Sequence, residues 1–284
     1  MHLDYIQFSI PLSEPMADSI VGLGAERQAL STVLEAAFAA RVSRAVLEGL
    51  ASLDAQSTVK ALAPYDTAIG LGLRASGMAN LMTVMYNSKS RKVDTMLIQF
   101  SGAGCAWLEE QGLIVEIVSA WIDRIGRVDF AYDFLTDMSP EHAFETENRT
   151  SILRSNTGTT VYSGSLKSDR YMRCYRYNPP HPRADRLRFE FVFKSKPQAR
   201  AALETWLYKS PTFASVCQSF RIRPNEAFDS SEGDPLGKVG RNPSASEAST
   251  TLWLIEAAAS AFKRLCSTGA IAEPEMFLKQ YFLD

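Results

Sequence analysis

The stretch RVDFAYDF, residues 127–134, alternates polar and apolar side chains and therefore predicts a β-strand with two different faces. Successive side chains of a strand point to opposite sides, so every second residue shares a face. The polar face carries Arg127, Asp129, Ala131 and Asp133. The other face is apolar and aromatic, and we expect it to be buried; it carries Val128, Phe130, Tyr132 and Phe134.

Two later segments repeat this two-faced design. Residues 186–194 (RLRFEFVFK) set three phenylalanines and Leu187 against a basic face that contains one acid, Glu190. Residues 171–177 (YMRCYRY) place Arg173 between tyrosines on one face, and these tyrosines are Tyr171, Tyr175 and Tyr177. Sequential strands pair or neighbour about two-thirds of the time. We therefore expect the three strands to lie side by side, with a phenol and carboxylates meeting among arginines.

The other segments predict a mixture of strands and helices without regular alternation, which indicates an α+β fold with an antiparallel sheet core and helices packed on one face. Further strands are predicted at residues 5–11, 68–73, 81–86, 95–100 and 159–163, with a hairpin turn at 87–90. Helices are predicted at residues 26–53, 106–124, 197–208 and 246–267, and another begins at Ser139. Residues 1–228 are predicted to form the main, catalytic domain, either as one unit or as two related α/β halves. Residues 229–247 are rich in Ser, Gly, Asp and Pro and predict a flexible loop or linker, followed by a C-terminal helical segment at 248–284 that packs on the main domain.

The composition excludes several classes of protein. No apolar run is long enough for a membrane span, and the N-terminus lacks the pattern of a secretion signal. The four cysteines are widely spaced, which predicts reduced cysteines in a cytoplasm. The net charge is −2, yet residues 151–200 contain 11 Lys and Arg against three acids, a local excess of +8. Such a basic segment attracts phosphate backbones, although a solvated basic face also explains it.

Carboxylates, a tyrosine and arginines together make a set suited to phosphoryl transfer. Carboxylates bind hard cations such as Mg²⁺ or Mn²⁺, which neutralise the charge that develops at a phosphate. A tyrosine hydroxyl has a pKa near 10 and needs a base or a cation to become a nucleophile. Arginines hold flanking phosphates in bidentate fashion. The product would be a 5′-phosphotyrosine and a free 3′-hydroxyl.

Several motifs, read in order, resemble the replication initiation factor family of filamentous phages and rolling-circle plasmids, which also includes relaxases of mobile elements. The matching segments are DYIQFSIPL (4–12), LIQFSGAGCAWLEE (97–110), RIGRVDFAYDF (124–134), TVYSGSLKSDRYMRCYRY (160–177), RLRFEFVFK (186–194) and TLWLIEAAASAFKRL (251–265). Each is weak alone, and together they span nearly the whole chain.

The resemblance implies roles for particular residues. The nucleophile of the family's Arg-x-Tyr-x-Lys segment corresponds to Tyr175, with Arg173 before it. This chain departs from that pattern, since Tyr177 stands where the family has lysine, so Tyr177 is the alternative nucleophile. The metal ligands implied are Asp129, Glu190 and, less directly, Asp133. The candidate DNA-binding bases are Lys167, Arg170, Arg176, Arg186, Arg188 and Lys194.

The implied function is the nicking and rejoining of one strand of origin DNA, in a bacterial cytoplasm, to start rolling-circle replication. A relaxase with the same chemistry is one alternative, and a DNA-binding regulator without catalysis is another. The implied partner is origin DNA, single-stranded or folded as a hairpin. A host helicase and a second copy of the chain are further candidate partners, and no membrane is expected.

Overall fold

The strands of the computed structural model form one large antiparallel sheet. Its ten strands lie in the order β2-β3-β4-β5-β1-β6-β11-β10-β9-β8. The bounds are β1 His2–Pro11, β2 Asp54–Thr58, β3 Thr67–Leu73, β4 Met78–Tyr86, β5 Thr95–Phe100, β6 Ile125–Leu135, β8 Thr150–Ser155, β9 Gly158–Ser163, β10 Arg170–Tyr177 and β11 Arg186–Phe193. Two short strands, β7 (Phe144–Thr146) and β12 (Ile222–Pro224), pair separately. The structure describes residues 1–11, 38, 41–58, 60–62, 64–73, 77–86, 95–181, 183–209 and 211–228.

The helices pack on one face of this sheet, which confirms the predicted α+β fold. Among the described residues they are α1 (Arg44–Ala51), α2 (Gly102–Glu110), α3 (Ile114–Trp121), α4 (Lys196–Tyr208) and α5 (Phe213–Ser219), with a 3₁₀ turn at Pro140–His142. The side chains between sheet and helices form a continuous buried cluster. Aromatic rings fill much of this cluster. The ring centroids of Phe134 and Phe213 are 4.8 Å apart, and those of the stacked pair Phe8 and Trp121 are 5.6 Å apart. The apolar face of 127–134 thus packs against the helices, as predicted, while Asp129 and Ala131 on the other face are buried as well.

The helix predicted over 106–124 is in fact two helices. Gly112 has a φ of +70°, which glycine adopts without the steric cost of a side chain, and the chain changes direction there. The second helix starts at Ile114. The first helix, α2, packs closely on β4 at Gly104. A Cβ on this residue would lie 1.9 Å from the Leu81 carbonyl oxygen, so only glycine allows the helix to approach the strand.

The remaining predictions concern the first predicted helix, the segments outside the described residues, the cysteines and membrane spans. A continuous helix to Leu53 is wrong, since residues 41–43 are not helical and α1 begins only at Arg44. Four predictions fall on residues outside the described ranges. They are the helix at 26–37, the turn at 87–90, the linker at 229–247 and the helical segment at 248–284. Cys105, Cys174 and Cys217 are buried free thiols. No helix in the described ranges is both long and apolar enough to cross a membrane.

Candidate active site on the polar face of the sheet

The three strands predicted to meet do lie side by side, in the order β6, β11, β10. Their register places Tyr175 opposite Arg188, and Arg188 opposite Asp133. Two residues away on β10, Arg173 lies opposite Glu190. Because these positions share one face, the polar side chains of three strands form a single surface on the side opposite the helices.

The Tyr175 hydroxyl lies at the centre of this surface and donates a hydrogen bond of 3.0 Å to Glu190 Oε2. Tyr175 is half-buried, and Glu190 is only 1% exposed. Burial raises the pKa of Tyr175 above its ordinary value, the Glu190 charge raises it further, and Arg188 opposes both. The resting phenol is therefore protonated, and its proton already points at a carboxylate.

Glu190 belongs to a buried pair of carboxylates. Asp129, also 1% exposed, lies within hydrogen-bonding reach of it. Burial raises the pKa of Glu190, and Asp129 adds to this shift, while Arg173 opposes it. Two like charges this close repel one another, so the pair favours an added proton or a bound cation.

Two arginines cover this carboxylate pair. Arg127 binds Asp129 through two hydrogen bonds, Nε to Oδ1 at 2.8 Å and Nη2 to Oδ2 at 2.5 Å. Arg173 binds Glu190 Oε1 through Nη2. The acids are buried, whereas the two guanidinium side chains are 28% and 32% exposed. Solvent-side cations directly above the acids are in position to receive an anion from outside.

A second ion-pair cluster surrounds Arg188. Its guanidinium binds both oxygens of Asp133 at 2.7 Å and Asp4 Oδ1 at 2.7 Å. Burial alone would raise the pKa of Asp133, but the Arg188 hydrogen bonds and charge outweigh it and lower that pKa. Asp133 is thus engaged with Arg188, and Asp129 is the acid that adds to the raised pKa of Glu190.

Asp4 is a site residue that sequence reasoning did not single out. Strand β1 pairs with β6 with a register shift between Leu3 and Tyr5, so both Asp4 and Tyr5 reach the polar face. Burial raises the pKa of Asp4, with Glu190 adding to the shift and Arg188 opposing it. The consecutive polar residues Asp4 and Tyr5, which break the alternation of the strand, are the signal that points to this bulge.

Tyr177 occupies a different position from Tyr175. Its ring stacks on His181 at 3.8 Å with an interplanar angle of 15° and meets Tyr175 edge-on at 5.4 Å. Thus, of the two candidate tyrosines, it is Tyr175 whose hydroxyl is bound to the buried acid.

The predicted DNA-binding bases separate into two groups. Arg188 is buried in its ion pairs, and Arg176 points to the opposite face, where it donates to the carbonyls of Thr136, Met138 and Ala184. The other candidates are at least partly exposed: Lys167, Arg170, Arg186 and Lys194. Of these, Arg170 lies over the Phe220 ring, and Lys194 binds the Leu166 carbonyl. The charge of Arg188 is offset by the acids that it binds, while the partly exposed bases remain candidates for DNA binding.

Asp129 and Glu190 carry the type of oxygen donor that a divalent cation requires. In the described ranges no group of three or more His, Cys, Asp or Glu side chains is placed to hold a metal ion. Magnesium commonly takes one or two carboxylates and keeps water and substrate phosphates as its other ligands. Asp129 and Glu190 supply two neighbouring carboxylates, whose oxygens are bound here by Arg127, Arg173 and Tyr175.

Comparison with known proteins adds little to this geometry. No family model matches the chain, and no curated protein matches it. One solved structure with a related chain path is a rolling circle replication initiator protein from Geobacillus stearothermophilus. The two share 15% sequence identity over 91% of this chain and 95% of that chain, with a TM-score of 0.45. Since that score is below 0.5, the function proposed next depends on the side chains and motifs of this chain alone.

Proposed function

We propose that this chain nicks and rejoins one strand of DNA through Tyr175, as the initiator of a rolling-circle replicon. The observation that carries the proposal is the hydrogen bond from the Tyr175 hydroxyl to the buried carboxylate of Glu190. A nucleophile bound to a base, within a surface of arginines, is the minimal arrangement for covalent attack on a phosphate. The replication context comes from the ordered motifs of the sequence.

The covalent step uses groups that are already in contact. The Tyr175 oxygen attacks the phosphorus, forming the tyrosyl phosphate, and the bond from phosphorus to the 3′ oxygen breaks. Glu190 accepts the proton that Tyr175 loses, and the departing 3′ oxygen takes up a proton to become a hydroxyl. Reversal of these transfers rejoins the strand, because the energy of the broken phosphodiester is kept in the tyrosyl phosphate.

The arginines hold the substrate. Arg127 and Arg173 are partly exposed and bound to acids through planar guanidinium groups. A phosphate offers the same bidentate geometry as a carboxylate, so each arginine can share its donors with the incoming strand. Arg188 is buried and keeps a positive charge opposite Tyr175 on the neighbouring strand, which stabilises the phenolate that forms.

The proposal includes a divalent cation held by Asp129 and Glu190. When bound, Mg²⁺ or Mn²⁺ would neutralise charge on the attacked phosphate. A relaxase would use the same chemistry on the same residues, and the DNA sequence that is cut distinguishes it from a replication initiator.

The test is incubation of the chain with a supercoiled circle that carries its own gene and the flanking DNA. With Mg²⁺ or Mn²⁺ we expect nicked circles and a protein covalently joined to DNA. Chelation of the metal should abolish both products, and Tyr175→Phe should abolish the adduct. Binding without any nick or adduct would contradict the proposal and favour a regulator that does not cleave DNA.

A further inference from the structure

Beside the proposed nucleophile, an aromatic ladder runs from the end of β10 into the segment that joins β10 to β11. Tyr175, Tyr177 and His181 follow one another, with ring centroids 5.4 Å and then 3.8 Å apart. Tyr177 is partly buried, whereas His181 is exposed. Among the described residues, the ring that His181 contacts is that of Tyr177. The ladder thus begins at the reactive hydroxyl and ends in an exposed flat ring.

The backbone holds the exposed ring in place. The His181 amide donates to the Asn178 carbonyl at 3.1 Å, and the Ala184 amide donates to the His181 carbonyl at 3.0 Å. The Arg183 amide donates to His181 Nδ1 at 3.1 Å, which fixes the orientation of the imidazole. A ring that is already ordered loses little entropy when a second ring stacks on it.

Cations lie on the same side of the molecule. Arg183 and Arg186 are both exposed, and Arg183 is near enough to Asp133 to help lower the pKa of that acid. A flat ring flanked by exposed cations is the combination that binds single-stranded nucleic acid, since bases stack on the ring while phosphates meet the cations.

We propose that His181, stacked on Tyr177, is a platform for one nucleobase of the strand whose phosphate Tyr175 attacks. The inference rests on the proposed function, because it takes single-stranded DNA as the ligand. It also gives Tyr177 a role other than that of nucleophile: its ring packs on one face of the His181 ring and leaves the other face for the base. Stacking recognises any base, so the platform positions the strand and does not read its sequence.

The experiment compares binding of the full chain to two fluorescent strands with equal charge, without metal so that no cleavage occurs. One strand is dT12, and the other is a 12-unit abasic strand with the same phosphates. The native chain should prefer dT12. His181→Ala should weaken dT12 binding about tenfold, in line with the loss of one stacked base, while abasic binding changes less than twofold. His181→Phe should retain dT12 binding to within threefold.

His142→Ala is the matched control, because this exposed histidine lies in the 3₁₀ turn and forms its hydrogen bonds through its backbone amide and carbonyl, which alanine keeps. It should leave binding of both strands unchanged. An equal loss on both strands in His181→Ala, or no loss on dT12, would overturn the platform. If the chain nicks DNA yet shows no preference for dT12, the platform fails and the proposed function stands. If it binds neither strand, the platform fails, and the nicking assay alone decides the proposed function.

Discussion

The two halves of the sheet share a strand order and differ in chemistry. In the first half β1 lies beside β5, followed by β4, β3 and β2; in the second, β6 lies beside β11, followed by β10, β9 and β8. Two helices follow the last strand of each half. On the polar face of the first half, Gln99 donates to Gln7 at 3.2 Å. On that of the second, the buried pair is Asp129 and Glu190.

This difference shows what the site requires. An amide pair is neutral and satisfies itself, since each amide is both donor and acceptor. A buried carboxylate pair offers only acceptors and repels itself, so it needs cations. The second half supplies these cations as Arg127 and Arg173. We infer that the same scaffold has a structural polar face in one half and a reactive one in the other.

The largest effect is expected when the second half is given the amide chemistry of the first. The double variant Asp129→Asn/Glu190→Gln removes the base for Tyr175 and the ligands for a cation. Nicking should fall by about 10²–10⁴-fold, the usual contribution of a general base. The rate of formation of nicked circles measures it. Gln99→Met, the matched change in the first half, should keep nicking within threefold; a double variant with more than half the native rate would break the comparison.

A smaller effect concerns the ion pairs that position the reactive half. Arg188→Met leaves Asp4 and Asp133 without their buried partner, so the free energy of unfolding should fall by about 3–5 kcal/mol. Chemical denaturation measures this change. Arg186→Met, on the same strand but exposed, should change stability by no more than about 0.5 kcal/mol. Equal effects of the two substitutions would show that the Arg188 cluster does not stabilise the fold.

The smallest expected effect is a difference in how Asp133 and Asp4, the two acids bound to Arg188, change stability with pH. The pKa of Asp133 is lowered, so its ionised form stabilises the fold above the unfolded pKa, and this contribution is lost as the pH falls through the folded pKa, below 3.8. Asp133→Asn should therefore cost about 1.5–3 kcal/mol at pH 7 and nothing at the acid end.

The pKa of Asp4 is raised by burial, so its ionised form is disfavoured in the folded chain. Asp4→Asn should then cost less at pH 7, below about 1 kcal/mol, and should remove a gain in stability that appears as the pH falls through the raised pKa. Stability measured against pH for both variants checks this. If the two variants had the same dependence of stability on pH, the opposite pKa shifts of Asp133 and Asp4 would be contradicted.

Much of this arrangement follows from local sequence. The alternation in residues 127–134 and 186–194 predicts both strands, their buried faces and the shared polar face that holds Glu190. Alternation assumes regular pairing, however, so it cannot place Asp4, which reaches the site through a bulge. Nor can it assign Arg176 to backbone carbonyls of a distant segment, because such partners are set only when the chain is folded.

Short and exposed elements were also beyond the sequence pattern. The edge strand β8 has six exposed residues and no alternating face, and β7 and β12 have three residues each, too few for a period. The α5 helix has seven residues, and sequence analysis did not identify it. These elements lie away from the reactive cluster, so the site was more predictable than its surroundings.

The central claim is that the phenol bound to Glu190 is the one that joins DNA. The most direct measurement is mass mapping of the peptide that remains attached to a nicked oligonucleotide from the flanking DNA of the gene. We predict the attachment at Tyr175, with Tyr177→Phe still forming the adduct. Attachment at Tyr177, or adduct formation that survives Tyr175→Phe, would contradict it.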